Sequence, residues 1–126
     1  MTGKNLKELP KPKCCEIWMC YLEEDNGSVQ GGYRPVLIIS NDKNNTYSRT
    51  INIIPITSKM NKRKLPVHVE LWEYKRFGLR MPSTIMVEQL TTVNVDVLEK
   101  RIGIILDALI LEMISKAIKV QFPFIS

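Results

Sequence analysis

Short apolar segments alternate with polar turns along most of the chain. Residues 35–40 contain an unbroken apolar run after Pro35, which predicts a buried strand with the proline at its start or on an edge. Residues 67–71 alternate strictly between apolar and polar positions, as expected of a strand with one buried face. Looser patterns predict four further strands, at residues 15–22, 50–57, 84–93 and 101–106.

The connections between these strands carry turn and helix signals. Residues 23–33 form a long loop with two glycine-containing turns, residues 41–48 a polar turn, and residues 72–82 a loop with some helical content. Pro55 suggests that the far half of its strand is irregular or lies on an edge. After Asp107, a good N-cap, apolar residues at helical spacing predict an amphipathic terminal helix: Leu109, Ile110, Met113, Ile114, Ala117 and Ile118.

Several short strands and a closing helix predict a mainly β protein built as a small, strongly bent barrel. Its 126 residues suit one domain, here residues 14–126, preceded by a polar, basic tail at residues 1–13 that we expect to be disordered. Since no segment resembles a membrane span or a signal peptide, we expect a cytoplasmic protein without a membrane partner. The three cysteines should be reduced, and adjacent Cys14 and Cys15 should point to opposite sides if they lie in a strand.

The net charge of +5 is concentrated in one part of the chain. Residues 43–80 hold nine basic and two acidic residues, a distribution typical of nucleic-acid binding. His68 is the only histidine, so a pair of catalytic histidines is excluded. No Asp/Glu/His set has metal-ligand spacing, and we therefore predict neither a metal nor a cofactor. Positioning and electrostatics remain as sources of catalysis.

Arg34 follows a glycine pair and immediately precedes the apolar run at residues 35–40. Its five-donor guanidinium would lie at the rim between a loop and a rigid sheet, a position that suits a phosphate. On these residues alone, a surface arginine beside a hairpin loop is the simpler interpretation.

The stretch at residues 30–42, Gln-Gly-Gly-x-Arg-Pro-Val-Leu-Ile-Ile-x-Asn-Asp, resembles the first motif of the MazF/PemK family of bacterial toxins, which are sequence-selective endoribonucleases. Residues 56–58 with 62–69 resemble the second block of that family, and residues 77–89 resemble the third through Phe-Gly-Leu, Ser and Glu-Gln. The three blocks are colinear and cover roughly residues 15 to 122.

The resemblance implies the SH3-like barrel of CcdB and PemK toxins and an mRNA interferase that works as a homodimer. It would cleave single-stranded RNA without a metal, by attack of the 2′-hydroxyl, leaving 2′,3′-cyclic phosphate and 5′-hydroxyl ends. The implied partner is a MazE-like antitoxin whose acidic, disordered segment lies across the RNA groove.

The resemblance also implies roles for individual residues. Arg34 would clamp the scissile phosphate and take part in proton transfer, and the Thr57 hydroxyl would hold the transition state. A guanidinium is a poor base, however, and Glu16 or Glu88 would be chemically easier ones. RNA binding is expected of Gln30, Gly31, Gly32, Tyr33, Ser58, Lys59, Lys62, Arg63, Lys64, His68 and Gln89, with stacking expected best of Tyr33, whereas His68 suits the core or an interface equally well.

The chain departs from the family pattern at three places. Cys15 stands where a glycine is usual, Val29 where an acidic residue is common, and Thr91 where an arginine often occurs. Two alternatives therefore stay open: a non-catalytic, CcdB-like gyrase poison, and a degenerate toxin that binds only antitoxin or DNA.

Overall fold

The computed structural model describes residues 8–23, 31–60 and 64–125. Within these ranges the chain is mainly β and ends in a helix, which confirms the predicted fold class. The strands are β1 (Glu16–Leu22), β2 (Gly32–Ile38), β3 (Thr50–Thr57), β4 (His68–Leu71), β5 (Ser83–Met86), β6 (Thr91–Asn94) and β7 (Leu98–Ile104), and the helices are α1 (Asp42–Tyr47) and α2 (Ala108–Gln121).

All described strand pairs are antiparallel and form one sheet in the order β4-β5-β3-β2-β1-β7. β6 lies beside the first half of β3. No described pairing joins β4 to β7, so the predicted barrel is observed as an open sheet. α2 packs against β4 and buries Ile114 and Ala117, as its apolar spacing predicts.

The apolar run of β2 is buried because both faces of the sheet are covered. Leu37 packs with Ile54 and α2 in one core cluster, whereas Val36 and Ile38 pack in a second cluster on the alternate face. Side chains of successive strand residues point to opposite faces, so an unbroken apolar run needs two cores. The prediction of a buried strand is confirmed, although β2 begins earlier than the apolar run, at Gly32.

β3 is continuous through Pro55, which corrects the expectation of an irregular or edge half. Its residues 50–53 pair with β6, and Ile56 and Thr57 pair with β5. Pro55 lies between these two segments. On this edge of β3, its missing N–H therefore removes no hydrogen bond to a neighbouring strand. The single strand predicted at residues 84–93 is accordingly two strands, separated by a 3₁₀ turn at Val87–Gln89.

The polar turn predicted at residues 41–48 is instead the short helix α1. Asn41 caps it, since its side-chain oxygen accepts a hydrogen bond from the Asn44 N–H at 2.8 Å. Buried Asn45 fixes the helix by donating to the Ser40 carbonyl at 2.8 Å. A one-turn helix held by polar side chains has no apolar periodicity, which is why the pattern did not predict it.

The described part of the predicted tail is partly packed against the domain, since Pro12 is buried as well as Leu9. Leu9 is buried and packs in the second cluster. Residues 1–7 lie outside the described residues, so the disordered tail and the boundary at residue 14 stay predictions. No helix in the described ranges is long and apolar enough to cross a membrane.

Cys15 adopts a left-handed backbone conformation, with φ of 73°. It precedes β1 rather than lying within it, and its N–H donates to the Ile38 carbonyl at 2.7 Å. The condition for opposite orientation, a strand at Cys14 and Cys15, is therefore not met, and their Sγ atoms are only 3.8 Å apart. A left-handed backbone favours glycine, which has no Cβ to strain there, so a cysteine at this position is under backbone strain.

Strain at Cys15 leads to a prediction about stability. Cys15→Gly should have a higher free energy of unfolding than Cys15→Ala, by about 1 kcal/mol, because glycine adopts a positive φ without a steric penalty. Both variants lack the sulfur, so their difference isolates the backbone. Urea unfolding of the two proteins measures it. An alanine variant equal to or more stable than the glycine variant would contradict backbone strain at this residue.

Candidate active site

Arg34 and Thr57 line one cleft, at the place where β2 and β3 separate. The two strands are paired through Val36 and Pro55, and the same register continued by two residues sets Arg34 opposite Thr57. There the strands no longer pair, because Thr57 pairs with Thr84 of β5 instead. The opening is a cleft of about 550 Å³, here called the Arg34 cleft, lined by Met19, Tyr33, Arg34, Pro35, Ile56, Thr57, Ser58, Lys59, Gly78, Leu79, Arg80, Met81, Ser83, Lys100 and Ile102.

Arg34 is partly buried and held from one side. Its Nε donates to the Gly31 carbonyl at 2.8 Å, so the predicted glycine loop fixes the guanidinium. Burial lowers the pKa of Arg34, and the facing Cys20 opposes that effect only weakly. Burial also raises the pKa of the Cys20 thiol to about 12, so this neighbour is neutral and does not balance the charge. A desolvated cation without a counter-charge favours binding of an anion.

Thr57 is buried at the end of β3, with 7% of its surface exposed. Its Oγ1 accepts a hydrogen bond from the Lys59 N–H at 3.2 Å, so the side chain caps the turn that leaves the strand. A hydroxyl that accepts in this way still has its own proton to donate. Thr57 can therefore shape the turn and present a donor in the Arg34 cleft.

The lining of the Arg34 cleft is cationic and contains no described carboxylate. It holds Arg34, Lys59, Arg80 and Lys100, and none of these four forms an ion pair with a carboxylate of the described residues. Like charges of this kind, gathered on low-dielectric walls, concentrate a positive potential that attracts polyanions.

Arg80 reaches the cleft because two glycines let two backbone segments touch. A Cβ on Gly78, which has φ of +75°, would lie 1.9 Å from the Ile102 carbonyl oxygen. A Cβ on Gly103 would lie 2.1 Å from the Phe77 carbonyl oxygen. The loop before β5 is therefore pressed against β7, and the residues that follow Gly78 line the cleft beside Lys100.

Tyr33 lies at the rim of the cleft, with 44% of its surface exposed. Its hydroxyl donates to Glu99 at 2.6 Å, and this hydrogen bond raises the pKa of the phenol to about 12. Its ring lies 4.6 Å from the ring of Tyr21 between centroids. The two exposed rings form an aromatic surface at the mouth, of the kind on which unpaired bases stack.

Several predicted RNA-binding residues lie elsewhere. His68 and Lys64 line a second cleft of about 370 Å³, where His68 Nε2 is 2.8 Å from Glu88 Oε2 and Lys64 is 4.0 Å from Glu70. Gln89 is buried in the turn between β5 and β6. The structure thus does not bring these three residues to Arg34. Gly31 and Gly32 lie beside Arg34 in the chain but do not line the cleft, and Gln30, Lys62 and Arg63 lie outside the described residues.

Neither carboxylate considered as a base lines the Arg34 cleft. Glu16 is buried and accepts hydrogen bonds from the Lys13 N–H at 2.7 Å, from Trp18 Nε1 at 3.0 Å and from Arg101 Nε at 2.7 Å. Glu88 is paired with His68, which lines the second cleft. Across residues 8–23, 31–60 and 64–125, no group of three or more His, Cys, Asp or Glu side chains could hold a metal.

Sequence reasoning missed three residues of the site. Arg80 directly follows the Phe-Gly-Leu block at residues 77–79 and could have been added from that position. Lys100 and Tyr21 lie on the outer strands β7 and β1, and their local sequence gives no signal, because only pairing brings them near the glycine loop.

An open antiparallel sheet, a terminal helix and a cationic cleft between diverging strands define a small β protein with a cleft that attracts polyanions. Residues 13–122 match the family described as PemK-like, MazF-like toxin of type II toxin-antitoxin system. The chain belongs to this family, whose members are known as endoribonucleases.

Solved structures agree with this assignment. The chain is 25% identical to the Mycobacterium tuberculosis toxin MazF-mt6, with a TM-score of 0.71 over 86% of this chain and 96% of that one. MazF from Deinococcus radiodurans gives a TM-score of 0.74 at 17% identity, over 91% of this chain and 99% of that one. A MazE-MazF structure from the same organism gives a TM-score of 0.70 at 17% identity, covering 91% and 98%.

Proposed function

We propose that this chain is a sequence-selective, metal-independent endoribonuclease that cleaves single-stranded RNA in the cytoplasm as the toxin of a toxin–antitoxin pair. The observation that carries the proposal is that Arg34 and Thr57 line the same cationic cleft, whose described lining has no carboxylate. A phosphodiester brings the negative charge that this lining lacks. Membership of the toxin family supports the same reaction.

In the proposed reaction, the 2′-oxygen attacks the adjacent phosphorus and the bond from phosphorus to the 5′-oxygen breaks. The 2′-hydroxyl proton is lost, the 5′-oxygen gains one, and the products carry a 2′,3′-cyclic phosphate and a 5′-hydroxyl. Arg34 would bind the non-bridging oxygens, where charge accumulates in the transition state, and the Thr57 hydroxyl would donate to one of them.

Proton transfer is the step for which this cleft has the fewest candidates. Its described lining contains no imidazole or carboxylate, and a guanidinium with an ordinary pKa is a poor base. The lowering of the Arg34 pKa by burial acts in the direction that a base requires. We therefore assign Arg34 the phosphate clamp first and the proton-transfer role second.

Selection for single strands has a separate basis. Unpaired bases can stack on aromatic side chains, whereas the deep, narrow major groove of duplex RNA hides its base edges. Tyr33 and Tyr21 provide such a surface at the mouth of the Arg34 cleft. Lys59, Arg80 and Lys100 would contact phosphates along the strand without reading sequence.

One assay tests this reaction. Purified protein is incubated with a long RNA in excess EDTA, and both ends of each product are mapped. We expect cleavage at a recurring short motif, with 2′,3′-cyclic phosphate and 5′-hydroxyl ends, and protection when a complementary strand covers the motif. The Arg34→Ala protein, purified in parallel, controls for contaminating nuclease. Loss of cleavage in EDTA that magnesium restores would contradict the mechanism.

The proposed partner is a MazE-like antitoxin with an acidic, disordered segment, and the proposed assembly is a homodimer. MazE-MazF complexes are known for structurally similar proteins, and the cationic cleft suits acidic side chains. Exposed apolar residues near the end of the chain suit a self-complementary interface: Leu106, Leu109, Met113, Val120 and Phe124.

A competition experiment between RNA and an antitoxin peptide tests the proposed partner. We expect the protein to sediment as a dimer and an acidic antitoxin peptide to displace RNA from it, because both ligands need the same cations. Fluorescence anisotropy of labelled RNA, titrated with peptide, measures the displacement, and a peptide with its acids changed to amides is the control. Simultaneous binding of both ligands, with cleavage unchanged at saturating peptide, would contradict a shared site.

A further inference from the structure

Cys14 and Cys15 form a pair of thiols on one side of the chain, directly before β1. Their Sγ atoms are 3.8 Å apart because Cys15 is left-handed. The backbone of the pair is fixed: the Cys14 N–H donates to Asp42 Oδ1 at 2.7 Å, the Cys15 N–H to the Ile38 carbonyl at 2.7 Å, and the Ile105 N–H to the Cys15 carbonyl at 2.9 Å. Both cysteines are partly exposed, so the two sulfurs are accessible and held in place together.

The spacing of the two sulfurs suits a bridging atom better than a direct bond. A disulfide needs sulfurs about 2.05 Å apart and Cα atoms about 4.4 to 6.8 Å apart, whereas consecutive Cα atoms are about 3.8 Å apart, so a bond between neighbours is strained. An atom that binds each sulfur at about 2.3 Å with a tetrahedral angle needs the sulfurs about 3.8 Å apart. The observed distance of 3.8 Å matches this tetrahedral spacing, and a trivalent, pyramidal atom, whose angle between the two sulfurs is narrower, would need the side chains to rotate slightly towards each other.

The residues around the two thiols restrict the class of ligand that could bind them. The thiols line a third cleft, of about 220 Å³, whose other walls include Ile39, Ile114 and Ile118. Among the described residues no further Cys, His, Asp or Glu joins the pair in a three-donor group, so a tetrahedral zinc ion would lack half of its ligands. A trivalent arsenic atom with one organic substituent needs two sulfurs, and its substituent would lie on the apolar walls.

We propose that Cys14 and Cys15 form a binding site for monosubstituted trivalent arsenicals. The arsenic, present in water as a dihydroxide, loses both hydroxyls and gains two As–S bonds. Each thiol proton leaves with one hydroxyl as water, and arsenic stays trivalent, so no oxidant or reductant is needed. None of the residues that line this third cleft lines the Arg34 cleft, and the proposal is therefore independent of the proposed RNA cleavage.

The protonation of Cys15 supports an arsenical over an oxidant. Burial, together with Cys14, raises the pKa of the Cys15 thiol to about 11, so it is protonated at neutral pH. Oxidants react with the thiolate and would find little of it. Condensation with an arsenic hydroxide consumes the thiol proton and forms water with it.

The test uses the full, reduced chain and phenylarsine oxide. We expect one adduct per chain by mass spectrometry, retained in excess glutathione and removed by a dithiol. Cys14→Ser and Cys15→Ser should each weaken binding on the order of 100-fold or more, because the second As–S bond then no longer forms within the same molecule. Cys20→Ser is the matched control, since Cys20 is fully buried and distant from this cleft, and it should bind as the parent does.

A second measurement separates the folded site from two neighbouring thiols in any chain. Affinity for phenylarsine oxide should be higher for the folded protein than for the same protein in urea, because folding holds the sulfurs at the bridging distance. Equal affinity in both states would overturn the proposal, as would an adduct that survives Cys14→Ser or that Cys20→Ser removes. Thermal melts of each variant confirm that it is folded.

Discussion

Arg34→Ala is expected to reduce the rate of RNA cleavage by about 1000-fold or more while leaving the protein folded. Arg34 lines the same cleft as Thr57, follows the glycine loop that holds its guanidinium, and is partly desolvated. Charged donors placed where negative charge develops typically contribute 10²- to 10³-fold or more to a rate. Single-turnover cleavage of a short RNA that contains the preferred motif measures the loss.

Three further variants separate chemistry from binding. Arg34→Lys keeps the charge but loses the planar fork, so most of the activity should still be lost. Lys100→Ala should weaken RNA binding and flatten its salt dependence, with little change in the rate at saturating RNA. Lys43→Ala, an exposed residue of α1 outside the cleft, should behave as the parent. If Arg34→Ala instead lost only affinity, Arg34 would be a binding residue and the proposed mechanism would be wrong.

The second large expected effect is a loss of stability when the close contact between β7 and the loop that precedes β5 is disturbed at either of its two glycines. Gly78→Ala should lower the free energy of unfolding by about 3 kcal/mol or more, because it combines a backbone clash with a positive φ. Gly103→Ala adds a clash with the Phe77 carbonyl and should also be strongly destabilising. Because the same contact places Arg80, both variants should bind RNA more weakly even where they remain folded. Urea unfolding and RNA titration measure the two effects.

Gly32→Ala is the matched control for this pair. Gly32 has φ of +87°, but a Cβ there would meet nothing within 4 Å. Its substitution should therefore cost only the backbone strain, about 1 to 2 kcal/mol. The expected order of destabilisation is Gly78 and Gly103 above Gly32. If Gly32→Ala were the most damaging of the three, close packing against β7 would not be what fixes the Arg80 loop.

Sequence patterns predicted the strands and the terminal helix correctly where apolar spacing determines the structure. They failed where polar side-chain contacts or strand pairing determine it. β3 and α2 lie where the pattern placed them, since a buried run and a helical stripe with an Asp107 cap are local signals. α1 depends on the Asn41 cap and the buried Asn45, and the break between β5 and β6 depends on how β3 divides its partners. Neither can be read from periodicity.

The candidate site likewise contains residues that the motifs predict and residues that only tertiary contacts bring in. Arg34, Tyr33, Thr57, Ser58 and Lys59 were expected from motifs near one another in sequence, and the Arg34 cleft contains all five. Arg80 directly follows the Phe-Gly-Leu block but was not expected in the site, and Lys100 lies outside all three motifs; the contact at Gly78 and Gly103 that brings their two segments together is not revealed by sequence spacing. His68 was expected either to stack on an RNA base or to lie in the core or an interface, and its strand lies at the edge of the sheet.

The uncompensated charge of the Arg34 cleft also bears on how long the protein survives. Four cations without a described counter-charge repel one another, and this repulsion lowers the free energy of unfolding of the empty protein. A polyanion that binds only the folded cleft restores stability, by about 2.7 kcal/mol when its concentration is 100 times its Kd. Where proteases sample the opened chain at equilibrium, turnover follows this free energy. The protein should therefore persist longest when its cleft is occupied and be degraded fastest when it is empty.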